Sequence, residues 1–101
     1  MMDAIKSDLF ETIDEATGID YLAIEVDGDE AFAVLCGRDA ATEHANDGEP
    51  LATVSTHDGG TTYAVQTGAG EANGGYTVTD LQATGLSLDE AMAEAAGYVR
   101  P

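Results

Sequence analysis

Residues 19–36 read IDYLAIEVDGDEAFAVLC, and their patterning decides what kind of fold this chain can adopt. Leu22, Ile24 and Val26 alternate with Tyr21, Ala23 and Glu25, and Phe32, Val34 and Cys36 alternate with Ala31, Ala33 and Leu35. A period of two sends successive side chains to opposite faces of a sheet. Between the two runs lies Asp27-Gly28-Asp29, which is hairpin-turn chemistry. A three-residue loop is expected, because it pairs Ile24 with Phe32 and Leu22 with Val34 and so gathers the large residues on one face. A two-residue loop that sets Glu25 opposite Glu30 would juxtapose like charges. Asp29 is then expected in the left-handed conformation that Asp tolerates better than most residues. The other face, with Tyr21, Ala23, Ala31, Ala33 and Leu35, is also rather apolar and calls for a second layer or a second subunit.

Outward from the hairpin, residues 3–16 read as an amphipathic helix. Ile5, Leu9, Ile13 and Ala16 share one face and Phe10 lies at its edge. Asp3 suits the start and Gly18 the stop. Residues 37–50 (GRDAATEHANDGEP) are small and polar; Asp39 can cap a short helical turn, and Pro50 favours an extended exit. Residues 51–57 (LATVSTH) and 61–67 (TTYAVQT) form a second hairpin around Asp58-Gly59-Gly60. Residues 68–75 (GAGEANGG) read as a loop, and 76–81 (YTVTDL) as a fifth strand. Ser87 with Glu90 three positions on is a capping box, and Leu88, Met92, Ala95 and Val99 make the buried stripe of the helix that follows. The expected architecture is α+β: an antiparallel sheet of about five strands with N- and C-terminal helices on one face, spanning residues 1–101 as one domain. This order of elements looks broadly similar to small adaptor folds such as the type III secretion chaperones, a likeness of fold without a shared motif.

The chain has 101 residues, 20 of them acidic and 3 basic, for a formal net charge of −17. High charge with few aromatics is a signature of disorder, but the periodic strands and 44% apolar content point to a folded protein. In composition the chain resembles cytoplasmic proteins of haloarchaea, which implies a salt-adapted, cytoplasmic protein and no particular activity. Three scattered cations cannot make the basic footprint that nucleic acid or an anionic membrane requires. A lone Cys permits no intrachain disulfide and suits a reducing compartment. No apolar run approaches a membrane span, and MMDAIKSDLF lacks a secretory h-region.

No motif assigns a catalytic residue. Cys36, His44 and His57 are the ligand-binding candidates: together they could make a nucleophile pair or, with a carboxylate, a zinc site. Against this, a buried Cys commonly behaves as a small hydrophobe, and the spacings match no compact zinc motif. Asp27, Asp29 and Glu30 could hold a hard cation, but the loop is too short for an EF-hand and lacks its later Glu. Gly68-Ala69-Gly70 lacks the third Gly and the following helix of a dinucleotide loop. No cofactor is implied. The expected function is a non-enzymatic protein-interaction or regulatory module, with a homodimer or another protein as partner. The alternative is a small ligand-binding domain or enzyme using the 37–50 loop near Cys36.

A folded chain of this mass exposes about 5,400 Å². Spread evenly, its acids would sit roughly 16 Å apart, about two Debye lengths at physiological salt. Only clusters then repel strongly: Glu25, Asp27, Asp29 and Glu30, and Glu43, Asp47 and Glu49. The melting temperature is therefore expected to rise from low to molar KCl. A melting curve that salt leaves unchanged would show that these clusters carry no net repulsion.

Overall fold

In the computed structural model the described residues are 2–16, 18–37, 48–72 and 75–99. In chain order they form α1 (Met2–Glu15), β1 (Ile19–Asp27), β2 (Glu30–Gly37), β3 (Pro50–Thr56), β4 (Tyr63–Gly70), β5 (Tyr76–Leu86) and α2 (Leu88–Val99). The strands make one antiparallel five-stranded sheet in the order β1-β2-β3-β4-β5, so each strand pairs with its neighbour in sequence. This is the expected α+β architecture. The candidate helical turn after Asp39 lies outside the described residues.

Both helices pack on the same face. Leu9 and Ile13 of α1 and Ala91, Met92, Ala95, Ala96 and Val99 of α2 are buried against Ile19, Ala31, Ala33, Leu35, Ala52, Val54, Tyr63 and Val65 of the sheet. Gly18 turns the chain out of α1 at φ 80°. The capping box at the start of α2 forms in full: the Glu90 amide donates to Ser87 Oγ (3.1 Å) and the Ser87 amide to Glu90 Oε1 (2.9 Å).

The structure corrects the first hairpin in two ways. Its loop has two residues, Gly28-Asp29, and pairs Asp27 with Glu30, Glu25 with Phe32, Ile24 with Ala33 and Ala23 with Val34. Gly28 takes the positive φ of 64° and Asp29 does not, which is how a Gly at the first loop position closes a two-residue turn. A bulge at Leu22 then shifts the register by one residue, so Tyr21 pairs with Leu35 and Asp20 with Cys36. The expected register thus holds only on the far side of the bulge. Asp27 stands opposite Glu30, whose Oε1 lies 2.9 Å from His57 Nδ1.

The second correction concerns the faces. Ala33 and Leu35, expected on the uncovered side, are fully buried under the helices. Tyr21 is on the helix side as well, with its ring edge-to-face against Phe10 at 5.4 Å. The side opposite the helices instead carries Phe32, Val34 and Cys36, of which Val34 and Cys36 are also buried. The physical reason is size: α2 presents mostly Ala to the sheet, and Ala31, Ala33 and Ala52 let it come close where Phe32 and Val34 would hold it off.

Further along, Gly68–Gly70 is not loop but the end of β4, and β5 runs five residues beyond the expected Leu81 to Leu86. Three register shifts separate β4 from β5, so the longer strand curves around the shorter. At one of them Gly68 faces Val78 so closely that a Cβ on Gly68 would lie 1.8 Å from the Thr77 carbonyl oxygen. Gly68→Ala is expected to cost at least about 2 kcal/mol, read as a lower denaturant midpoint. Gly97→Ala in α2, whose added Cβ meets nothing within 4 Å, should leave the midpoint unchanged or raise it.

Candidate functional site

The sheet separates the candidate nucleophile from its candidate partner. Cys36 sits near the end of β2, level with the start of β3, whereas His57 follows the end of β3, level with Glu30 at the start of β2. Six residues at about 3.3 Å each put roughly 20 Å between them. His44 lies outside the described residues. Cys36 is buried with Leu51, and Leu22 and Val78 pack against the pair. Burial, reinforced by Asp20 and Glu49, pushes its thiol up to about 11, so at neutral pH it is a protonated hydrophobe rather than a nucleophile.

The metal candidates Asp27, Asp29 and Glu30 share the hairpin tip but do not converge. Asp27 and Glu30 are cross-strand neighbours on the helix-free face, Glu30 is engaged by His57, and the Asp29 carbonyl accepts the Gly59 amide at 3.0 Å. Among the described residues no three His, Cys, Asp or Glu side chains come close enough together to hold an ion.

The same register assembles something that sequence reasoning missed. Reading across all five strands, Ala23 pairs with Val34, Val34 with Thr53, Thr53 with Gln66, and Gln66 with Leu81. These residues form one row on the face opposite the helices. Leu81 closes the row and is 60% exposed, the most exposed large apolar side chain among the described residues. Toward the hairpin tip the next row is Glu25, Phe32, Ser55 and Ala64. There Glu25, Asp27, Glu30, Phe32, Ser55 and His57 line a shallow cup of about 290 Å³. A different and larger groove, about 530 Å³, lies between α1 and β1 beside Phe10 and Tyr21. Alternation already put Phe32 and Val34 on one face of β2, but only the five-strand register shows that Leu81 faces the same way.

The cup depends on how the β3–β4 turn is built. The Asp58 carboxylate accepts the Thr62 amide (2.9 Å), the Thr62 hydroxyl (2.7 Å) and the Thr56 hydroxyl (2.8 Å), while Thr56 Oγ1 in turn accepts the Gly60 amide (3.0 Å). This knot holds the turn against the first hairpin through Gly59 and Asp29 and places His57 on Glu30. The Thr62 backbone and side chain, then Thr56, hold the Asp58 carboxyl down to about 2.

The chain matches no protein-family model, no curated protein and no solved structure, so the functional argument rests on its own residues.

The lowered Asp58 value has a stability consequence with a definite sign. The folded state keeps Asp58 ionised down to about pH 2, whereas in the unfolded chain it protonates near about 3.9. Its contribution is therefore complete above about pH 4 and is lost as pH falls toward 2. Asp58→Asn is expected to melt lower than wild type at pH 7, with the gap closing between pH 4 and 2. A gap that stays constant across that range would assign the effect to the lost bonds alone and not to ionisation.

Proposed function

We propose that this chain is a salt-adapted, non-catalytic protein-interaction module whose contact surface is the helix-free face of its sheet. The observation that carries the reading is Leu81, 60% exposed at the end of the cross-sheet row Ala23, Val34, Thr53, Gln66 and Leu81, in which Val34 is itself buried. A single exposed Leu means little in a folded protein. Here Leu81 stands on the same side as the half-buried Ala23, Phe32 and Val78, around a centre of buried Val34 and Leu51, and apolar groups gathered in this way can mark a contact surface.

The helix side is already occupied by α1 and α2. The catalytic alternative has less support: the Cys36 thiol is held protonated, and His57 stands at the other end of the sheet. The 20 acidic residues support salt adaptation through surface charge, and the acidic hairpin tip borders the proposed contact face.

The test compares wild type with Leu81→Ser in molar KCl. The substitution touches an exposed side chain and should change stability by no more than about 0.5 kcal/mol. Proteins crosslinked to the wild type should be lost from the variant, while the melting curve stays the same. Recovery of an identical set with both proteins would remove the helix-free face from the interaction.

A further inference from the structure

We infer that the groove between α1 and β1 is a second contact site, independent of the helix-free face, and that it takes an extended segment of another protein with basic side chains at alternate positions. The groove measures about 530 Å³, with Phe10, Glu11 and Asp14 of α1 on one wall and Ile19, Asp20 and Tyr21 of β1 on the other. No residue of α2 and no other strand lines it, and β1 is an edge of the sheet. It therefore opens past the sheet edge and not between the two helices.

The backbone on this side suits a strand. Among the described residues no strand pairs with the outer side of β1. The Tyr21 amide donates at 2.8 Å to the carboxylate of Asp20, its own neighbour in the strand. A carbonyl of an incoming strand can replace that side chain, which frees Asp20 to meet a cation of the same segment. Strand addition to an open edge draws affinity from such backbone bonds and specificity from alternate side chains.

The side chains define the partner. Phe10 and Tyr21 stand edge to face at 5.4 Å and are 38% and 39% exposed, so both rings remain open to contact. Glu11 and Asp14 are exposed on the α1 wall. Three positions apart on a helix, their Cβ atoms lie about 5–6 Å from one another. Alternate side chains of an extended segment lie about 7 Å apart on one face. Two successive basic side chains on that face therefore reach both carboxylates, with their aliphatic stems and charges against the aromatic rings. No ion pair among the described residues engages Glu11, Asp14 or Asp20.

A second copy cannot supply the segment. The basic residues of the chain are Lys6, Arg38 and Arg100, no two of them at alternate positions, and each copy would bring a formal charge of −17. Charge complementarity therefore selects a strand of a different, basic protein.

The probe is an end-blocked pentapeptide in which Thr alternates with two Arg. It is compared with one carrying uncharged citrulline for both arginines and with one N-methylated at both arginines, which keeps the charge and removes two backbone donors. Binding is followed by amide chemical shifts of the full chain in moderate and in molar KCl. The parent peptide should shift Phe10, Asp14 and Tyr21 and bind about fivefold tighter than either relative, with its margin over the citrulline peptide narrowing in molar salt. The double variant Glu11→Gln/Asp14→Asn should shrink the margin over the citrulline peptide and leave the margin over the methylated one. Leu81→Ser should leave all three affinities unchanged, so that this site and the helix-free face stand or fall separately. A methylated peptide that binds as tightly as its parent would overturn strand addition, and a citrulline peptide that does so would overturn the basic partner. Shifts scattered over the acidic surface, or none at Phe10 and Tyr21 up to millimolar peptide, would overturn the site itself.

Discussion

Alanine packed on alanine is the constraint from which the rest of the molecule follows. Ala91, Ala95 and Ala96 of α2 lie in one buried cluster with Ala31, Ala33 and Ala52 of the sheet. Small side chains on both surfaces let the helix sit close to the strands, and close packing there leaves no room for large residues between them. In β2, where Ala31 and Ala33 face the helices, Phe32, Val34 and Cys36 take the opposite face. The helix layer thus decides which residues remain for contact elsewhere.

A second constraint sits at the end of the sheet where two turns meet. Asp58 draws Thr56 and Thr62 into a compact knot, and the turn so formed reaches the first hairpin through the Gly59 amide and His57. The docked turn forms one wall of the acidic cup beside Phe32, where Asp27 stands opposite Glu30. The same bonds that hold the fold together at this end therefore shape the surface proposed to meet a partner.

Charge and apolar patterning act on different ranges. The two apolar clusters, one on each side of the sheet, gain their burial energy only at contact. The 20 acidic residues act over a Debye length, and molar salt shortens that reach to neighbouring groups. The hairpin tip, where Asp27 stands opposite Glu30, is a place where like charges stand that close.

Much of this protein is legible in its sequence. Period-two runs marked strands β1 to β4, 3.6-residue spacing marked both helices, and Ser87 with Glu90 announced the α2 cap; the α+β class followed from their order. These signals are local, carried by residues a few positions apart. What the sequence could not decide is non-local. The two-residue loop at Gly28-Asp29 takes a bond from Gly59 of another hairpin, and the bulged Leu22 packs on the cluster of Cys36 and Leu51. Which face of β2 is covered depends on how closely α2 approaches. Gly68 is required because β5 curves against it. The cross-sheet row exists only through four successive pairings, since Ala23 and Leu81 lie 58 positions apart in the chain. Alternation tells each strand that it has two faces; only packing, with its steric limit, chooses which of them the helices cover.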